Sequence, residues 1–423
     1  MKIETLAAAL LISAAAPCGA RAQVVEDVIH SFTGGADGAN PAPTLLVDSG
    51  GRTGKVRAVY GSSSYDGTFG QGTAFQLVPP HGGTKVWTDM PLWTFTGGVD
   101  GDEPYGNLIA QTRHVSGTTP IYGTTSGYGG GNGSVFSLTG TTLTTLYTFT
   151  GGDDGANPFW GVVADKSGAL YTAPSYAGAN GCGTVIQLVP PGQGQTAWTE
   201  NTIYSFTGGA DGCNPNNVVI DAKGNLFGTS AYGGNAGGGT VFELIPPSNG
   251  QTGWTEQTIW GFQGGTDGAS SYAPPTLGKG GVVYGTTAYG GNSNGGTVFA
   301  LSPPAHGGTS WSEQIIATFS STGTNNVPYA PVIIDKAGAV YGTTSGNFGG
   351  SASGAVFRVV PPAPGQTTWT LETLFAFLGG KTGSVPYAGL TADSQGVLYG
   401  TTYEGGLNNN GVVFTLTGTG YVP

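Results

Sequence analysis

The chain has 423 residues, of which 80 are Gly, 11% are aromatic and only 9% are charged, with a formal net charge of −11. So many aromatics exclude a disordered tail, and thirteen Lys and Arg, scattered along the chain, exclude a nucleic-acid surface and disfavour an anionic membrane. Abundant Gly beside aromatic and β-branched residues predicts many short strands joined by tight turns.

The first element is a leader. Lys2, an apolar run from Leu6 to Ala16 and then Ala20-Arg21-Ala22 read as a secretion signal over residues 1–22, cleaved near Ala22. The run is too short to span a bilayer, and Pro17 makes Cys18 a poor lipidation site. No later stretch is long and apolar enough to cross a membrane. Residues 23–423 are therefore expected to form one secreted domain, extracellular or periplasmic.

VVEDVIHSF (24–32) is a lone strand, and seven copies of one unit follow it. The motif apolar–Tyr/Phe–Gly–Thr/Ser–Thr/Ser places its aromatic at Tyr60, Tyr122, Tyr171, Phe227, Tyr284, Tyr341 and Tyr399, a period of about 56 residues. A second motif ends at Phe75, Phe136, Ile186, Phe242, Phe299, Phe357 and Phe414. A third has its Phe at positions 32, 95, 149, 206, 262, 319 and 377. A Pro opens the next run at 41, 104, 158, 215, 274, 328 and 386. Within one period, NVVIDA, NLFGTSA, GTVFELI and WTEQTIWGF are four strands, and no window carries the helical period. Four antiparallel strands in each of seven units predict an all-β, seven-bladed β-propeller. The last unit ends after its third strand, GVVFTLT (411–417), so the N-terminal strand completes it and closes the ring.

In a blade running a–b–c–d from the channel outward, the d–a and b–c connections share one face, and here they are the long ones. Long loops on a rigid scaffold are where binding concentrates. The b–c loops carry Tyr65, Tyr128, Tyr176, Tyr232, Tyr289, Phe348 and Tyr403. The d–a loops carry Asp37, Asp100, Asp154, Asp211 and Asp267, with Asn325 and Lys381 near the equivalent places in the last two units. Tyr105, Trp160, Tyr329 and Tyr387 follow the strand-opening Pro. Aromatic planes beside short polar groups suit sugar: the ring stacks on C–H faces while carboxylate and amide bond hydroxyls. The structural alternative is that each Tyr packs on its neighbour and each Asp closes a turn.

The runs YSFTGGADGCNPNNVVIDAKGNLFGTSAYGGNAGGGTVFELIPP (204–247) and VVYGTTAYGGNSNGGTVFALSPP (282–304) resemble the GloVer tandem repeat of bacterial secreted "choice-of-anchor" proteins. The resemblance covers nearly all of residues 23–423 and implies an extracellular repeat protein, with no catalytic residues to carry over. The chain ends at GTGYVP with no sorting anchor, so a released protein is expected. The Asp-x-x-Gly-x-Leu-Tyr runs are similar, more loosely, to NHL-type propellers. The turns around Trp198, Trp254, Trp311 and Trp369 resemble the tail of a sialidase Asp box without its Ser-x-Asp half, and these Trp are expected to cover the outer strand.

Chemistry finds little purchase. His30, His81, His114 and His306 fall in unrelated places, and there is no nucleophile elbow or zinc spacing. Glu103, Asp100, Asp154 and Glu404 are the loop-face acids from which a hydrolase would draw a pair. Calcium could use the d–a loops if several converged, but no metal or cofactor is expected. Cys182 and Cys213 fall on one face in adjacent blades, which an oxidising compartment would allow to pair. The expectation is a monomeric, non-catalytic binding propeller for a glycan or another cell-surface polymer. The rivals are an extracellular hydrolase or lyase with acids near the channel mouth, and a surface structural repeat protein.

Overall fold

The computed structural model describes residues 23–42, 44–50, 54–82, 86–112, 114–248, 253–305, 308, 310–323, 325–346 and 353–423. The expected leader, Phe348 and His306 lie outside them. The described residues hold twenty-eight strands in seven four-stranded antiparallel sheets, and no helix long and apolar enough to cross a membrane.

Blade 1 is β2 (Leu46–Gly50), β3 (Lys55–Ser63), β4 (Thr73–Val78) and β5 (Thr88–Thr94), and each following blade repeats the order. Blade 7 takes β26 (Thr391–Ala392), β27 (Leu398–Thr402) and β28 (Val412–Thr417) from the end of the chain. Its outer strand is β1 (Val25–Ser31), paired from Val25↔Thr417 to Ser31↔Val412. That pairing satisfies both termini's backbone groups and leaves no seam in the ring.

The core lies between blades. In six of the seven interfaces the Phe ending an outer strand packs on the third-strand Phe of the next blade, edge-on in four of them. Phe32–Phe75, Phe95–Phe136, Phe206–Phe242 and Phe377–Phe414 have ring centroids 5.2, 5.3, 4.9 and 5.1 Å apart. Phe32, Phe75, Phe95, Phe136, Phe206 and Phe242 are fully buried. The far end of the third-strand ring lies over the Gly of the Tyr-Gly-Thr motif on the adjoining strand. A Cβ on Gly61, Gly123, Gly228, Gly285, Gly342 or Gly400 would stand 2.2–2.6 Å from the ring's terminal carbon. These glycines need no positive φ; they are small because a Phe occupies the space. Blade 3 shows the exchange, since Thr172 takes the Gly position and its partner across the ladder is Ile186 instead of Phe.

A second glycine in each blade does need its conformation. Gly183 has φ +87°, and a Cβ there would meet Pro215 Cδ of the next blade at 2.5 Å. Its carbonyl accepts the Phe206 N–H at 3.1 Å. Six blades present a Pro to the equivalent glycine. In blade 5 the register places Ser271 there, because Ser270 N–H bonds Gly238 O as Asn214 N–H bonds Cys182 O. The strand-opening residue is therefore Ser271 and not Pro274.

The c–d-turn Trp residues cover the preceding blade's second-strand aromatic, not their own outer strand as expected. Trp198 lies on Tyr122, Trp254 on Tyr171 and Trp311 on Phe227, each 6.2–6.3 Å between centroids. Blade 7 has no c–d turn, because the chain begins and ends there. Tyr421 takes the place, stacking on Tyr341 at 5.2 Å beside the Arg358 guanidinium.

Gly228→Ala should destabilise the fold by about 1–3 kcal/mol through overpacking, read by chemical denaturation. Gly228→Thr combined with Phe242→Ile, the blade 3 pair, should recover most of the loss that Gly228→Thr alone incurs. Equal losses in single and double variants would count against the Gly–Phe pairing.

Candidate binding site

The d–a loop aspartates hold their own loops. Thr96, Thr150 and Thr207 donate backbone N–H to the carboxylate four residues on, at 3.0, 2.7 and 2.7 Å, and their hydroxyls donate to its other oxygen. Asp37 and Asp267 are bonded the same way by the backbone N–H of Thr33 and Gln263. From the outer strand seven residues back, Trp93 Nε1, Tyr147 Oη, Tyr204 Oη and Trp260 Nε1 add a further bond to Asp100, Asp154, Asp211 and Asp267. In the first loop His30 stands 3.4 Å from Asp37. None of the five lines the cavity described below, so the hydroxyl-binding role expected of them does not extend to it. Among the described residues no three His, Cys, Asp or Glu side chains gather as a metal requires.

The tyrosines build the site. After each strand-opening turn one side chain faces the channel mouth: Ala42, Tyr105, Phe159, Asn216, Tyr272, Tyr329 and Tyr387 in blades 1 to 7. The backbone fixes this position, since the residue two before it has positive φ in every blade, from Asn40 through Glu103 to Val385. In blades 1, 2, 4 and 5 the b–c loop aromatic stands beside the inner aromatic of the next blade. Tyr65 meets Tyr105, Tyr128 meets Phe159 and Tyr232 meets Tyr272, at 6.2–6.3 Å between rings. Tyr232 and Tyr272 share a 2.8 Å hydroxyl bond, and Tyr289 and Tyr329 a 3.5 Å one. Burial and these hydroxyl neighbours raise Tyr272 and Tyr329 above the usual phenol range. Even so, Tyr128, Tyr176, Tyr232 and Tyr289 keep 41–67% of their surface exposed, which is costly for an aromatic ring unless something covers it.

The loop aromatics are not equivalent, although the sequence aligns them. Tyr65, Tyr176 and Tyr289 bridge Ala39, Ala156 and Ala269, but in blade 7 the bridging residue is Glu404, paired with Ser384. Tyr403 sits one position earlier, where other blades have Ser64, Ser175 or Ala231. It therefore turns inward over small Ala42, and its hydroxyl lies 3.3 Å from Tyr105 Oη, itself 3.3 Å from Tyr65 Oη. Burial first, then Tyr65 and the Glu103 charge, push Tyr403 up to about 12, against the hydrogen bond with Tyr105, which lowers it.

The inner ring has two small members, Ala42 and Asn216, and both line the cavity that opens where the ring lacks an aromatic. Its volume is about 400 Å³, and its wall runs from Tyr65, Tyr105 and Tyr387 through Tyr128, Phe159, Trp160 and Tyr176 to Tyr232 and Tyr272. Ser175, Asn214 and Asn216 form the polar notch. Asn216 Nδ2 donates to Ser271 O at 2.6 Å and Asn214 Nδ2 to Ser175 O at 3.0 Å, which leaves the amide oxygens as acceptors. A disulfide between Cys182 and Cys213, Cα atoms 4.6 Å apart, joins the blade 3 and blade 4 loops beside the notch.

Sequence reasoning missed Phe159, Asn216 and Tyr272. Tyr272 is obscured by Ser271 replacing Pro, and Phe159 by the neighbouring Trp160. The repeat-wide positive-φ position, occupied by Asn in three blades, is the signal that finds all of them. His81 lies in a c–d turn, and His114 lies 3.2 Å from Asp48 on the opposite face. Among the described residues no His, Lys, Arg, Asp or Glu lines the cavity.

A closed ring of seven four-stranded blades with one aromatic funnel at its loop-rich mouth defines a β-propeller assembled from tandem units. Residues 113–357, more than half of the chain, match the Gloeobacter/Verrucomicrobia repeat, and the chain belongs to that repeat family. No curated protein matches significantly. Among solved structures, it is similar to a candidate oxidoreductase (glucose dehydrogenase) from Thermus thermophilus, at 13% identity and TM-score 0.38, over 73% of this chain and all of that one. It is also similar to a candidate 6-phosphogluconolactonase from Bacteroides uniformis, at 16% identity and TM-score 0.46, over 79% and 84%.

Outside the funnel, acids on the outer strands face the loop aspartates of the preceding connection. In blade 5, burial, together with a hydrogen bond and the charge of Asp267, raises Glu313 from 4.5 to about 9. Between those values the folded protein keeps a proton that the unfolded chain has lost, so stability falls as pH rises from 4.5 to 9. Glu313→Gln should flatten that slope and melt higher than wild type at about pH 9, measured by thermal unfolding. A wild type that gains stability across this window relative to the variant would contradict the shared proton.

Proposed function

We propose that this propeller is a binding module that takes a glycan at the one aromatic funnel, with sugar C–H faces against the tyrosines and hydroxyls at the Asn214–Asn216 notch. The observation that carries the reading is the convergence of partly exposed aromatic faces on a single cavity with amide acceptors at one side. Such a cavity falls within the size range of small-ligand sites, and aromatic planes with amide groups are suited to sugar. Seven equivalent shallow sites, one per blade, would need seven equivalent loops, and the loops are not equivalent. A cavity wall without carboxylates favours binding over hydrolysis, since glycoside cleavage uses two acids flanking the bond. An extracytoplasmic setting belongs to the same reading, supported by the leader-like residues 1–22 and by a disulfide, which persists in oxidising compartments.

On a broad glycan and polysaccharide array, the purified protein should bind a limited set of glycans. Tyr232→Ala with Tyr272→Ala should weaken that binding at least tenfold while the thermal transition stays within a few degrees. A blank array, or binding indifferent to both tyrosines, would overturn the reading.

A further inference from the structure

Two residues depart from the repeat beside the same tyrosine cluster, and both are glutamates. In blades 1, 3 and 4 the positive-φ position holds Asn40, Asn157 and Asn214. Each donates its amide to the preceding blade's b–c loop, at Tyr403 O, Ser126 O and Ser175 O, over 2.8, 2.7 and 3.0 Å. Blades 5, 6 and 7 have Ser270, Val327 and Val385 there, and blade 2 alone has a charged residue, Glu103. A carboxylate cannot donate, and the position equivalent to those acceptors is Ser64, which is fully buried with its hydroxyl unpartnered. Glu103 turns toward Ser126 Oγ instead, at 3.5 Å. The second departure is Glu404, which takes the rim position that Tyr65, Tyr176 and Tyr289 hold in their blades. Between the two lies the Tyr65–Tyr105–Tyr403 hydroxyl chain.

Giving up an inter-blade amide bond for a half-buried negative charge weakens the ring locally, and losses of that kind collect at functional sites. The wider field has the same sign. The connections on the funnel face carry ten carboxylates, among them Asp66, Asp102 and Asp153, and one cation, Lys381. Lys166, Lys223, Lys279 and Lys336 instead occupy the a–b turns of four consecutive blades on the opposite face. Four of the thirteen basic residues are thus placed away from the site, three of them sharing their turn with Asp165, Asp221 or Asp335. A cleft of one sign with low-dielectric walls concentrates the opposite charge, and aromatic faces attract cations directly.

We propose that the funnel's ligand carries a positive charge, as an amino sugar with a free ammonium group. The charge is received against the Tyr65–Tyr105–Tyr403 cluster, with Glu103 and Glu404 behind it. This rests on the glycan reading and narrows it: anionic sugars are repelled, and N-acetylation, which removes the charge, weakens binding.

The test is titration calorimetry with glucosamine oligomers and N-acetylglucosamine oligomers of equal length. At low salt the free-amine chain should bind at least tenfold tighter, with the advantage shrinking as salt is added. Glu103→Asn restores the repeat residue, so the variant should fold at least as stably as wild type, and it should lose most of the preference. Asp153→Asn, which removes an exposed charge elsewhere on the same face, should keep it. Equal or better binding of the acetylated chain overturns this inference and leaves the glycan reading standing, as does an equal loss in Asp153→Asn, which would mark bulk attraction. If neither chain binds and the array is blank, both readings fall.

Discussion

The structure depends on the packing of one Phe ring between blades. Each third-strand Phe is held on two sides: its far end over a glycine on its own sheet, and its ring against the outer-strand Phe of the preceding blade. A sheet of four short strands cannot bury its faces alone, so each blade exists only between two others. Phe242, Gly228 and Phe206 therefore form one unit although they belong to two blades. The Thr172–Ile186 exchange in blade 3 shows that the occupied volume matters, not the identity of either partner.

Ring closure follows from the same constraint. If every interface needs a Phe from the outer strand of the blade before it, the first blade must receive Phe32 from the last. The chain meets this by placing that outer strand, β1, before blade 1. Splitting blade 7 between the two ends removes its c–d turn, and with it the Trp that other blades lay on the preceding second strand. Tyr421 on Tyr341 restores that cover. Blade 2 has a short c–d turn with no Trp, and there Val115, from its long a–b loop, joins the cluster around Tyr60. Each departure from the repeat on this face is matched by a substitute of similar shape.

Much of this was legible from period and composition. The seven units, the four strands in each and the closing strand all follow from the spacing of three motifs. The Thr-x-x-x-Asp spacing already contains the loop-closing bonds, because a carboxylate four residues on can reach back to a free N–H. What spacing could not give was register at single-residue resolution. Tyr403 and Glu404 trade places relative to Tyr65, and that shift decides whether a ring faces the funnel or the rim. Side-chain direction alternates along a strand, so one residue reverses it. Pro274 misled for a related reason: Ser271 keeps the backbone turn without the Pro that marks it elsewhere. The separation of charge between the two faces was equally invisible along the chain, since a–b and d–a connections alternate in sequence.

On the funnel face the departures are not matched by substitutes. Ala42 and Asn216 interrupt the inner ring of aromatics, and both line the cavity. Glu103 places a charge where three blades have an amide donor, and nearby the Ser64 hydroxyl is buried with no partner. A symmetric ring of identical loops would meet at the channel as a symmetric plug of seven aromatics with no room between them. Affinity for one ligand in one orientation requires that symmetry to be broken, and unrepaired breaks are tolerable only where the surrounding interfaces are strong enough to carry their cost. The Phe-packed interfaces lie below the loops and are complete in this respect, so the mouth can remain irregular while the ring stays closed.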